Sequence, residues 1–245
     1  LALGEEIDRS RIPEPFKLDA EWAYWVLESE AKGEFDWEDP KLRELFEAAT
    51  QTPYYLIWGD ILAEVSLRVS KLTEVNSFTE VGAGRGDLTK ILLDKLRRES
   101  AKTKLFLTDS KPVVFEAGKE CREAFPTVDQ ETVLWNVEEP APAELKRPSV
   151  SPMLVYERAM FIYSDVAAVE NLAQVADILV LGDYFNYTGE IFAYDELFKK
   201  IGANPLFYSD MKAVLDRFYP HQYILDLGVV EELKVPYVSV VVAWK

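Results

Sequence analysis

The sequence predicts an α/β protein built on a doubly wound, mostly parallel sheet, and three observations carry that prediction. From residue 77 onward, short apolar runs of strand length alternate with helical patterns, the order that builds parallel βαβ units. One of these runs, Asp177-Ile-Leu-Val-Leu181, is apolar almost throughout, as a strand covered on both faces must be. The last two runs have no helix between them, which makes them a hairpin and implies an antiparallel edge strand.

Residues 1–74 read as a helical cap and residues 75–245 as the sheet domain. The cap holds a helix over 18–30 with Trp22, Trp25 and Val26 on one side, then an acidic loop over 32–38. A second helix opens at Asp39-Pro40, an N-cap followed by proline in the first helical position, and carries Leu42, Leu45, Phe46 and Ala49. A third opens the same way at Thr52-Pro53, with Tyr54, Trp58, Ile61, Leu62, Val65 and Val69 as its apolar stripe. In the sheet domain, strands are expected at 77–81, 104–109, 131–135, 153–156, 177–181, 222–227 and 237–243. Helices are expected from Asp87, over 111–125 and 163–175, and around 194–201 and 209–218. A short acidic connection separates the last two strands.

Composition excludes several classes. The chain has 245 residues, 49% of them hydrophobic, enough for one large domain with a sizeable core. No apolar run approaches the ~20 residues that cross a bilayer. Glu5, Glu6 and Asp8 interrupt any apolar region near the start, so no secretory leader is expected. One cysteine, Cys121, allows no internal disulfide, and one histidine, His221, leaves too few soft ligands for a zinc site, so no metal is expected. A reducing, cytoplasmic setting is the resulting expectation. The net charge of −16 repels a phosphate backbone, which argues against nucleic acid as a partner.

The glycine-rich stretch at 77–90 narrows the ligand. Gly82, Gly84 and Gly86 follow a strand and precede a helix that opens at Asp87, with Leu88, Ile91, Leu92 and Leu96 on one face. A strand, a glycine turn and a helix form the phosphate- or nucleoside-binding corner of an α/β sheet. A dinucleotide fold wants G-x-G-x-x-G and a P-loop wants Gly-Lys-Ser/Thr; here the spacing is Glu80-x-Gly82-x-Gly84-x-Gly86 and Asp87 comes next. This E-x-G-x-G-x-G form resembles the first motif of the class I S-adenosylmethionine-dependent methyltransferases. The βα order ending in a hairpin over residues 75–245 resembles that family too. The resemblance implies a Rossmann-like seven-stranded sheet with a terminal antiparallel hairpin strand, an N-terminal helical cap, and S-adenosylmethionine as cofactor.

The resemblance also assigns roles. Gly82, Ala83 and Gly84 would approach the methionine moiety, and Glu80 would order the loop and receive the cofactor's ammonium. Asp109, at the end of the second strand with Ser110 beside it, is placed to accept from the ribose diol, unless it caps the next helix. Asn136 would bond the adenine amino group with Val137 against the ring, unless Asn136 opens a turn. Tyr156 completes the cofactor set. At the fourth strand's end, Glu157 could hold or deprotonate an acceptor and Arg158 could bind its carboxylate or phosphate, or the two could be structural ion-pair partners. His221 is the other candidate base. Asp183, Tyr184 and Asn186, with Trp25, Tyr54, Tyr55, Trp58 and Tyr163, would line the acceptor pocket, either as a lid or as packing on the sheet. The fourth strand lacks the Pro-Pro-aromatic run of base-modifying relatives.

The resulting expectation is methyl transfer to a small molecule, by O- or N-methylation in specialised metabolism, with S-adenosylhomocysteine as product. A catalytically silent subunit on the same fold is the alternative, and aminopropyl transfer ranks third because Glu157-Arg158 is not a paired-acid motif. A homodimer through the aromatics of the cap is compatible with the sequence and not required by it.

Overall fold

The computed structural model describes residues 44, 50, 51, 53–97, 103–147, 150, 152–161, 164–187, 206–225, 229, 230, 235, 236 and 239–245; at 53, 54, 229, 230, 235 and 236 it describes the backbone only. The expected helix over 18–30, the acidic loop over 32–38, nearly all of the second helix and the segment at 194–201 lie outside these residues.

The strands are β1 Ser77–Val81, β2 Lys104–Asp109, β3 Asp129–Leu134, β4 Met153–Arg158, β5 Ile178–Asp183, β6 Phe185–Asn186, β7 Leu206–Phe207, β8 His221–Leu225, β9 Val229–Val230, β10 Val235–Pro236 and β11 Ser239–Trp244. The helices are α1 Pro53–Thr73, α2 Asp87–Leu96, α3 Val113–Ala124, α4 Val169–Leu172 and α5 Tyr208–Leu215. Seven strands form one sheet in the order β3-β2-β1-β4-β5-β11-β8. β1 pairs in parallel with both β2 and β4, so the strand order reverses between β1 and β4, the switch point where such sheets bind ligands.

Three details differ from expectation. The antiparallel strand is not at the edge: β11 inserts between β5 and β8, antiparallel to both, and β8 forms the edge. The connection between β8 and β11 contains a two-stranded ribbon, β9 with β10. The long helix expected over 163–175 is a 3-10 turn, Val166–Ala168, running into the four-residue α4. Asp165 resets its start by accepting from the Ala167 N–H, and Val175 and Ala176 close it by donating to the Leu172 carbonyl.

The core lies between the sheet and its helices. α2 buries Leu88, Leu92, Leu93 and Leu96, each contributing about 1.5–3 kcal/mol relative to exposure. α1 packs on the sheet so closely that a Cβ at Gly182 of β5 would lie 2.6 Å from a Leu62 methyl. Among the described residues, no helix is long and apolar enough to cross a membrane.

Candidate functional site

The loop after β1 turns through left-handed backbone at Gly82, Gly84 and Gly86, with φ of 68°, 51° and 74°, a region costly for residues with a Cβ. The space around each glycine differs. A Cβ at Gly84 would meet nothing within 4 Å, one at Gly82 would sit 3.1 Å from Met160 Cγ, and one at Gly86 would sit 3.3 Å from Cys121 Sγ. The loop is therefore buried at Gly86, open over Gly84, and exposed at Gly82 with Met160 against it. Burial raises the Cys121 thiol to about 11, which leaves it an inert packing group.

Glu80 is 3% exposed. Its Oε2 accepts from the Thr89 hydroxyl on α2 and from the Tyr156 hydroxyl on β4 at 3.0 Å. Burial pushes its carboxyl up to about 7, against the pull of these two donors. The acid ties β1, α2 and β4 together beneath the glycine turn. Tyr156 is fully buried, so it acts on the loop through Glu80 and does not reach the crevice, a correction to its place in the cofactor set. Thr89 was not foreseen; a hydroxyl in the first turn of the helix after a buried strand acid is the signal that could have found it.

Asp109 serves both loops at once. Its Oδ2 accepts from the Gly84 N–H at 2.9 Å and its Oδ1 from the Lys111 N–H at 2.8 Å. It therefore caps the next turn and also pins the open centre of the glycine loop. A carboxylate has about four acceptor positions, so two remain on a half-buried side chain. Ser110 beside it is exposed. The Asp109 carbonyl accepts from the Trp135 N–H at 2.9 Å, which holds the turn after β3 alongside. There Asn136 Oδ1 accepts from the Glu138 N–H at 3.2 Å, the turn-opening role, and the half-buried Asn136 precedes buried Val137. These polar groups and the open space at Gly84 fit an adenosine-bearing ligand with a diol.

The ends of β4 and β5 are closed instead. Glu157 and Asp183 are both fully buried. Glu157 Oε2 accepts from the Met160 N–H at 2.9 Å, and Asp183 accepts from the Phe161 and Tyr184 N–H groups at 2.8 Å each. Burial, and next the charge of Asp183, hold the Glu157 carboxyl well above its ordinary range. Neither acid presents an oxygen to solvent, so Glu157 is not placed to deprotonate an acceptor and Asp183 is not placed to line its pocket. Asn186 is likewise buried, at 2% exposure.

Arg158 faces α1. Its guanidinium carbon lies 5.1 Å from the Tyr55 ring centroid and 5.8 Å from that of Trp58, and its Nη1 donates to the Tyr55 carbonyl at 3.3 Å. Trp58 meets Tyr184 edge-on at 5.3 Å. These side chains come together as an aromatic wall with a cation, and the wall joins α1 to the ends of β4 and β5. Trp25 and Tyr163 lie outside the described residues, as does the side chain of Tyr54. His221 is not at the site. It pairs with Trp244, which pairs with Ile178 at the start of β5, so it lies at the amino end of the sheet, opposite the glycine loop, stacked on the Trp244 ring at 5.4 Å. A cleft of about 300 Å³ between α2 and α3, lined by Arg85, Asp87, Lys90, Glu116 and Glu120 among others, contains none of the expected site residues.

No protein-family model matches the chain, and no curated protein sequence does. Solved structures do match. The CMeT domain of the citrinin polyketide synthase superposes with a TM-score of 0.72 at 15% identity, over 94% of this chain and 66% of that one. The DszA carbon methyltransferase gives 0.71 at 12% identity over 94% and 66%. The mitomycin 7-O-methyltransferase MmcR gives 0.59 at 18% identity over 96% and 74%. The chain thus spans 66% of the length of the first two. With the strand order, the glycine loop and Asp109 in place, these likenesses establish that the chain has the fold of the class I S-adenosylmethionine-dependent methyltransferases.

Proposed function

We propose that the chain is an S-adenosylmethionine-dependent methyltransferase acting on a small-molecule acceptor. One observation carries the reading: Asp109 holds the Gly84 N–H while open space lies over Gly84, so the acid and the bare backbone face one ligand. Asp109 and Ser110 would hold the ribose, Asn136 and Val137 the adenine, and Gly82, Ala83 and Gly84 the amino acid tail, with Glu80 fixing the loop beneath. Tyr55, Trp58, Arg158 and Tyr184 would shape the acceptor side. When bound, the cofactor supplies a methyl group on a sulfonium, which transfers in line to a lone pair once the two are aligned.

Neither residue expected to act as a base reaches the crevice. This favours an acceptor that arrives as a nucleophile, such as a neutral amine or an ionised oxygen or carbon acid. It equally favours a second reading, a member of the fold that binds the cofactor without turnover. Calorimetry with S-adenosylmethionine and S-adenosylhomocysteine tests the first step. If neither gives heat, and Asp109→Ala behaves as the parent does, the enzyme reading is lost. Transfer of labelled methyl to any of a panel of amines, phenols and carbon acids separates the two readings; binding with no transfer selects the silent one.

A further inference from the structure

At the ends of β4 and β5, two buried acids act on one short turn. Glu157 pairs with Leu181 across the parallel ladder, so Glu157 and Asp183 share a face of the sheet. The three N–H groups of residues 159–161 are all taken by these strand ends. Ala159 donates to the Gly182 carbonyl at 2.8 Å, Met160 to Glu157 Oε2 at 2.9 Å and Phe161 to Asp183 Oδ2 at 2.8 Å. Ala159 is held at φ 55°, a left-handed conformation that is costly for a residue with a Cβ. The turn thrusts Met160 at the glycine loop, its Cγ 3.1 Å from the place of a Gly82 Cβ. Glu157 Oε1 makes no hydrogen bond of normal geometry among the described residues, although the Gly182 N–H bears on the same carboxyl.

We propose that Glu157 and Asp183 are positioning residues that share one proton, and that the singly protonated pair sets the 159–161 turn and, through Met160, the wall of the crevice against Gly82. The consequence for ligand binding rests on the function proposed above; the turn itself does not. Two ionised carboxylates on one dry face repel, whereas a proton on Glu157 Oε1 leaves Oε2 for the Met160 N–H and both Asp183 oxygens for the Phe161 and Tyr184 N–H groups. The charged groups that bear on Glu157 are Asp183 from β5 and Arg158 from β4; burial and Asp183 outweigh the guanidinium. Loss of the shared proton at higher pH adds a second buried negative charge and loosens the turn.

The chain has three methionines, Met153, Met160 and Met211, so methyl-labelled methionine gives a spectrum that can be assigned by substitution. In the ligand-free parent, the Met160 methyl resonance should move in one step as pH rises, while Met153 and Met211 stay. E157Q keeps an acceptor for the Met160 N–H and does not titrate, so the resonance should remain at its low-pH position throughout. D183N removes the neighbouring charge but leaves Glu157 to titrate, so the step should move to lower pH. A step that persists in E157Q or stays unmoved in D183N overturns the proposal, as does a parent resonance that stays fixed up to alkaline unfolding. In the second arm, S-adenosylhomocysteine affinity of the parent should fall at least fivefold across the step and that of E157Q should not. If the step is present but no form binds S-adenosylhomocysteine, the methyltransferase reading fails and the carboxyl pair stands.

Discussion

The ends of β1 and β2 and the ends of β4 and β5 use the same device, a strand-end carboxylate accepting backbone N–H groups from nearby turns, to opposite effect. Asp109 bonds Gly84 and Lys111 and stays half-exposed. Glu157 and Asp183 bond the 159–161 turn and Tyr184 and are shut away from solvent. The difference lies in the residues that make up the turns. After β1 the chain is rich in glycine, which leaves the backbone bare and the carboxylate reachable. After β4 and β5 it is Met160, Phe161, Tyr184 and Phe185, which bury the acids they surround. A carboxylate at the carboxyl end of a parallel strand is therefore reachable from solvent only where its turn lacks side chains to cover it.

The largest test of this contrast removes a covered acid. Asp183→Ala leaves the Phe161 and Tyr184 N–H groups without their acceptor, at about 1–3 kcal/mol each, so urea unfolding should show a loss of about 3–5 kcal/mol; a loss under 1 would mean that water replaces the carboxylate. Next is Glu80, pushed up to about 7 from 4.5. A buried acid with a raised value binds more protons folded than unfolded, so its contribution falls as pH rises from 4.5 to about 7 and is constant above. The full change is about 3 kcal/mol at 1.36 per pH unit. Glu80→Gln should gain that much on the parent between pH 4.5 and 8; an equal pH dependence in the two proteins refutes the buried titration.

On the open side, Asp109→Ala should weaken S-adenosylhomocysteine binding at least tenfold, or about 1.4 kcal/mol, with a smaller loss of stability. Arg158→Ala removes the cation over Tyr55 and Trp58 and should cost about 1 kcal/mol, read as an earlier opening of α1 by hydrogen exchange. The smallest effect belongs to His221→Ala, at the far end of the sheet: under ~0.5 kcal/mol in stability and no change in ligand affinity. A tenfold affinity loss there would contradict the register of β8.

The open side was legible because its needs are local. Glycines that must adopt positive φ, a helix opening at Asp87 and an acid closing β2 are each written within a few residues. The closed side was not, since Glu157 reads as a strand-end acid whether or not Met160 and Phe161 fold over it. His221 was misplaced for a topological reason. β8 runs parallel to β5, as both oppose β11, so the residue that opens it lies at the amino end of the sheet. The insertion of β11 between β5 and β8 depends on pairing choices made across tens of residues, which no short pattern encodes.

That insertion has a consequence for how the molecule assembles. Among the described residues, β8 joins the main sheet only through β11, and β11 comes after it in the chain. During synthesis, residues 221–225 emerge before residues 239–244, the strand they pair with among the described residues. β5, nearly all apolar, keeps one edge unpaired for the same interval. An interruption between residues 225 and 239 exposes two strand edges at once, the state in which chains find each other instead of themselves. The vulnerable moment of this fold is thus a matter of timing, set by the position of a single strand.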